Sequence, residues 1–141
     1  MTTELTVHAV HQGDMRIAAT ARAHTIQMDY QRSPKDETAG ATPLELILAS
    51  LAGCAGNTMA LLLRKDQQPF EDIEVIAHGQ RREKHPTVIT EIHLEFMLRG
   101  KGLDSVSVRK ALDLAEARIC PVWAMLKGST PITSTIRIVE T

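Results

Sequence analysis

Aromatic side chains are almost absent: two phenylalanines, one tyrosine and one tryptophan in 141 residues. So few rings leave little on which successive bases could stack. A formal net charge of −1 gives no broad attraction for nucleic acid or anionic lipid. Cysteine is equally scarce, at two residues. No CxxC pair occurs and no two of the six histidines are spaced HxxxH, so no zinc site and no bound metal or cofactor is expected. A Gly-x-Ser-x-Gly elbow is missing too, which removes a common hydrolase signature. The opening Met-Thr-Thr-Glu-Leu-Thr-Val-His has neither the basic nor the apolar part of a secretory signal. The expected location is cytoplasmic, where two thiols stay reduced unless their chemistry uses the bond.

What is there begins with residues 42–63, the stretch around which the rest is expected to be arranged. Thr42 can accept from a first-turn amide, Pro43 sits where a missing N–H does no harm, and Glu45 can reach back to the Thr42 N–H, forming a capping box. Apolar residues then fall on every side of the helix, which predicts enclosure by protein over most of its surface. Cys54 lies in its middle between Gly53 and Gly56, each costing a helix interior about 1 kcal/mol relative to alanine. Close approach of another backbone at the level of the thiol would offset that cost. Roughly 20 such residues would also cross a bilayer. Glu45, Ser50, Asn57 and Thr58 interrupt the run, and Arg64, Lys65 and Asp66 close it, which favours a core helix and no membrane partner.

Before that helix, Leu5, Val7 and Ala9, then Met15, Ile17 and Ala19, alternate with polar residues around Gln12-Gly13-Asp14, predicting a hairpin. A third strand over 24–29 and a polar loop over 31–41 follow. After it, Ile73, Val75 and Ala77 begin another strand. Val88, Thr90, Ile92, Leu94, Phe96 and Leu98 alternate with Glu91, His93, Glu95 and Arg99, a strand with one wet side. The charged turn Arg81-Arg82-Glu83-Lys84-His85-Pro86 between them reads as a solvated loop, not a nucleic-acid patch, because no aromatics are interleaved. Gly100-Lys101-Gly102 carries too little of a phosphate-loop fingerprint and reads as a strand-to-helix turn.

Asp104 can cap a helix whose buried stripe is Val108, Ala111, Leu112, Ala115 and Ile119. Pro121 then breaks it, so Cys120 is expected to cap a second short helix over 121–127, closed by Gly128. Ile132, Ser134, Ile136 and Ile138 make a last strand. The order βββ-α-ββ-α(broken)-β over residues 1–141 reads as one α+β domain with a mainly antiparallel sheet around a buried central helix. One sheet with a polar outer face cannot surround an all-apolar helix, so a homodimer, most simply two-fold, is expected.

Either cysteine alone reads most simply as a small buried hydrophobe. Together they suggest more, because one has glycines beside it and the other caps a helix, whose partial positive charge favours thiolate at Cys120. Thr-Pro-Leu-Glu-Leu running to Ala-Gly-Cys54, then Arg82 to His85-Pro86 and Ile92-His93-Leu94, then Ala115-Glu116 to Cys120-Pro121-Val122 and Leu126, resembles the OsmC and organic hydroperoxide resistance family over nearly the whole chain. The resemblance is closest to its OsmC-like branch.

That resemblance implies an intertwined homodimer with sites at the subunit interface. Cys54 would attack a peroxide, become a sulfenic acid and condense with Cys120. A small dithiol such as dihydrolipoamide would reduce the resulting disulfide. Leu44 stands where better-known branches carry a glutamate, which leaves Glu45 as the acidic candidate and capping partner. Arg16 is the candidate thiolate partner, with Arg32 the other arginine of that region. Two functions follow from the sequence: a dithiol peroxidase acting on organic hydroperoxides, or a non-catalytic small-ligand-binding or redox-sensing protein of the same fold.

Overall fold

The computed structural model describes residues 2–141, in two compact units, one ending at Ile47 and the other Leu48–Thr141. The first carries an antiparallel sheet of β1 (His8–His11), β2 (Ile17–Ala21) and β3 (His24–Met28). The β1–β2 turn holds Gly13 at φ 103 and Asp14 at φ 50, a left-handed pair that glycine adopts at little cost. Leu5 and Val7 lie ahead of β1, so the first strand is shorter than its alternation predicts. Ala19 is the buried apolar side chain of this sheet, whereas Val10 and Ile26 are exposed.

After β3 the polar loop folds back on its own start. The buried Asp29 carboxylate accepts from Tyr30 N–H at 2.8 Å and Ala39 N–H at 3.0 Å. The Ala39 amide first, then the Tyr30 amide, hold that carboxyl below the usual carboxylate range.

Helix α1 (Pro43–Lys65) starts with the predicted capping box: Thr42 N–H donates to Glu45 Oε1 at 2.9 Å and Glu45 N–H to Thr42 Oγ1 at 3.1 Å. By length and composition α1 could cross a bilayer, but Leu51, Ala55, Met59 and Leu63, spaced by four, are fully buried in a protein core. One chain encloses that stripe and not the whole helix. Leu61 remains 60% exposed and Ile47 39%.

The stripe packs into a single cluster with Ile92, Leu94, Phe96 and Leu98 of the second sheet and Val108, Ala111, Leu112 and Ala115 of the following helix. Each large side chain so buried contributes about 1.5–3 kcal/mol. The second sheet runs β4 (Phe70–Arg81), β5 (Ile89–Gly100), β6 (Ile132–Glu140), in that spatial order. β4 and β5 are antiparallel, with Val75 opposite Phe96 and Ala77 opposite Leu94. β6 lies parallel to β5, Ile92 facing Ile132 and Phe96 facing Ile136. A parallel neighbour needs a crossover, which the helical segment between them supplies. Val88 and Thr90, predicted on the inner face, are exposed: Val88 belongs to the hairpin loop before β5, and Thr90 sits at a register shift where Gln80 pairs with Glu91 and Arg81 with Ile89. In that loop Arg82 Nε donates to Lys84 O and Pro86 O, so the guanidinium laces the turn.

The crossover opens at Gly102, φ 78, whose N–H donates to Glu140 Oε1 at 3.1 Å, the strand-to-helix turn anticipated from the sequence. α2 (Ser105–Leu114) is capped by Asp104, whose carboxylate accepts from Ser107 N–H at 3.0 Å. A π-helical turn, Ala115–Ile119, follows, then α3 (Pro121–Leu126).

Asp29 has a depressed carboxyl in the folded protein, so it contributes stability above its unfolded pKa near 4 and loses it as pH falls through the folded value. In urea unfolding from pH 7 to pH 2, Asp29→Asn is expected to remove part of the wild-type acid-dependent loss, giving a flatter pH profile. An unchanged profile refutes this role for Asp29.

Candidate functional site

The buried stripe of α2 sets where its end must point. From Ala115, ordinary helical spacing puts Ile119 in the core, as the sequence predicts. The structure reverses this: Ile119 is 42% exposed and Cys120 1%. The cause is the π turn, in which Cys120 N–H donates to Ala115 O at 2.9 Å, five residues back instead of four. The extra residue carries Ile119 outward and brings Cys120 beneath Ala115. Pro121 enforces the break, since it disfavours helical geometry at the residue before it, and Cys120 is extended at φ −72, ψ 109.

So placed, the Cys120 thiol is a neighbour of the Cys54 thiol, and both cysteines are free. Burial pushes the Cys120 thiol pKa up. The Trp123 and Val122 amides pull the other way without overcoming burial, and the neighbouring Cys54 adds to the rise. The expectation that the helix start makes Cys120 a favoured thiolate is therefore corrected. α3 has only six residues, and its positive end does not offset the loss of water around a thiol this deep.

Cys54 is half-buried on α1, and Thr58, itself buried, donates its hydroxyl to Cys54 O at 2.8 Å. The predicted backbone neighbour is not found. A Cβ at Gly53 would meet no atom within 4 Å, and one at Gly56 would meet the Val75 side chain, Cγ2, at 3.3 Å. What the glycines border is an open cleft of about 450 Å³ between α1 and β4, lined by Gly53, Gly56, Asn57, Phe70, Asp72 and Val75.

The other predicted site residues are engaged locally. Glu45 is in the capping box, nine residues before Cys54 in the chain. Arg16 donates through Nη2 to Gln12 O at 3.5 Å, and Arg32 pairs with Asp14 at 3.6 Å and Asp36 at 3.7 Å. Among the described residues no three His, Cys, Asp or Glu side chains gather as a metal set.

Trp123 is the neighbour that sequence reasoning missed. Its ring stacks on Phe96, centroids 6.4 Å apart and planes within 10°, and its Nε1–H is buried with no hydrogen-bond partner among the described residues. The tryptophan three residues after Cys120 is the one signal that would have pointed to it.

Family resemblance can now be tested against this geometry. The OsmC-like protein family matches residues 34–135. The chain belongs to that family. Among OsmC-like relatives, protein YhfA of Escherichia coli K12 is 31% identical over 123 residues, covering 87% of this chain and 89% of YhfA. The OsmC-like protein of Mycoplasma pneumoniae shares the fold at a TM-score of 0.87 with 22% identity, covering 99% of both chains. The organic hydroperoxide resistance protein OhrB of Bacillus subtilis shares it at 0.67 with 16% identity, covering 96% of this chain and 98% of OhrB. The OsmC-like fold thus serves some proteins of organic hydroperoxide resistance.

With Cys54 replaced by Ser, the ultraviolet absorbance of the remaining Cys120 thiolate is expected to rise only above the ordinary cysteine range of about 8.5. A thiolate already present at pH 7 contradicts the dominance of burial.

Proposed function

We propose that this protein is a thiol-dependent peroxidase that reduces organic hydroperoxides, with Cys54 attacking and Cys120 resolving. One observation carries the reading: two thiols from distant parts of the chain are neighbours inside one unit. A packing role calls for buried sulfur; it does not call for two sulfurs side by side.

The chemistry balances. The Cys54 thiolate attacks the O–O bond; with one proton taken up, sulfenic acid and an alcohol form. The Cys120 S–H then condenses with the sulfenic acid, releasing water and leaving the Cys54–Cys120 disulfide. A dithiol of the dihydrolipoamide kind returns both thiols by exchange, itself becoming a disulfide. The raised thiol pKa of Cys120 suits the second role, because it keeps its proton while Cys54 reacts.

Arg16 and Glu45 enter from the resemblance and not from their contacts, as cation and acid for the thiolate and the leaving alkoxide. A homodimer is part of the proposal, supported by the exposed apolar side chains Leu61 on α1 and Val10 and Ile26 on the first sheet. The working compartment is the cytoplasm.

Stoichiometric cumene hydroperoxide added to the reduced protein tests the reading. Both thiols should disappear per equivalent of peroxide consumed. Cys54→Ser should abolish consumption, and Cys120→Ser should stop at a trappable sulfenic acid. Arg16→Ala should slow the first step by about tenfold or more, the effect of losing a positive partner to a thiolate. Thiols that persist for hours would favour the ligand-binding or redox-sensing alternative. A sulfenic acid formed only in the protein retaining Cys120 reverses the two roles.

A further inference from the structure

The π turn that brings Cys120 to Cys54 leaves one backbone acceptor stranded. Glu116 O would ordinarily receive the amide four residues on, but the Cys120 N–H is given to Ala115 O. The next donor along, at residue 121, is a proline and has no N–H. The Lys127 side chain fills that place: its Nζ donates to Glu116 O at 3.0 Å, reaching back from the end of α3. The same residue is anchored by its own N–H on Trp123 O at 2.9 Å. Lys127 therefore ties α3 to the π turn across the break at Cys120, at the carbonyl the break deprives of a backbone partner.

We infer that Lys127 is a positioning residue for the redox pair, its ammonium holding the π turn of Ala115–Ile119 in the form that presents the Cys120 thiol to Cys54. It touches neither sulfur. Without it the Glu116 carbonyl competes for the Cys120 amide, which favours the ordinary helical bond, rotates Cys120 away from the core and returns Ile119 toward it. The consequence is a slower meeting of the two sulfurs, with the attack at Cys54 untouched. The catalytic importance of this device rests on the peroxidase reading, but the device itself can be read without it.

The test compares wild type, Lys127→Met and Lys127→Arg in the full-length protein. Disulfide closure is driven by diamide, which takes up two electrons and two protons as the two thiols join. Hydrogen exchange at the Cys120 amide reports the π turn directly. Lys127→Met is expected to close about tenfold more slowly, the effect of losing one charge-assisted hydrogen bond. Its Cys120 amide should exchange faster, while sulfenic acid formation by hydroperoxide in the Cys120→Ser background stays within about twofold of the Lys127 parent. Lys127→Arg should restore closure. Equal closure rates and equal Cys120 exchange in Lys127→Met overturn the inference, as does a general rise in exchange along α1, which marks plain destabilisation. Should wild type close with diamide yet ignore hydroperoxide, the peroxidase reading fails and the positioning role stands.

Discussion

The hydrogen bond from Cys120 N–H to Ala115 O fixes where a buried sulfur sits, and with it everything the molecule can do with that sulfur. An ordinary helical turn there would bury Ile119, which suits a core made otherwise of aliphatic and aromatic side chains. Insertion of one residue into the turn replaces that isoleucine with a thiol. The exchange removes apolar contact, unfavourable by about 1 kcal/mol or more, and leaves the Glu116 carbonyl to be satisfied by the Lys127 ammonium. Pro121 makes the alternative unfavourable as well, because it disallows helical geometry at Cys120. The backbone settles on the arrangement in which the sulfur faces inward.

The remainder of the second unit serves as a rigid frame for that turn. β5 is the central strand, and its inner residues Ile92, Leu94, Phe96 and Leu98 receive both the α1 stripe and the α2 stripe. Because α1, α2 and the residues after it share this one cluster, the sulfur on α1 and the one just past the π turn can be held in register. Phe96 stacked on Trp123 extends the same cluster to α3, on the far side of the break. Trp123 also supplies the backbone N–H that faces the Cys120 thiol. The indole N–H has no hydrogen-bond partner among the described residues.

Much of this was legible in the residues themselves. The capping box at Thr42 and Glu45, the Asp104 cap and the alternation from Ile92 to Leu98 are local patterns with local causes, and they form as read. The element order follows from them; the OsmC-like fold came from the family resemblance of the motifs. The Ile119 and Cys120 exchange was not legible, because a helical wheel assumes one residue spacing throughout and the π turn changes it for a single turn. The surroundings of Gly53 and Gly56 were misread for a different reason. Glycine in a helix signals that space matters there, but not whether backbone, a side chain or an open cleft occupies it. Lys127 and Thr58 were invisible as partners because each contacts a main-chain carbonyl, which carries no sequence signal.

The contrast between the two thiols follows from magnitudes. A helix terminus contributes about 0.3–1 kcal/mol to a nearby anion, less than one pKa unit, and falls off within a turn. Complete desolvation of an ionisable group can move it by several units in the opposite direction. Cys120 feels both and burial wins, so its proton stays on sulfur at neutral pH. Cys54 is only half-buried, so of the two it is the sulfur that a molecule from solution can approach. Access and protonation therefore favour the proposed division of roles in the same sense: the more accessible sulfur to meet a peroxide, and the buried, protonated neighbour to resolve it.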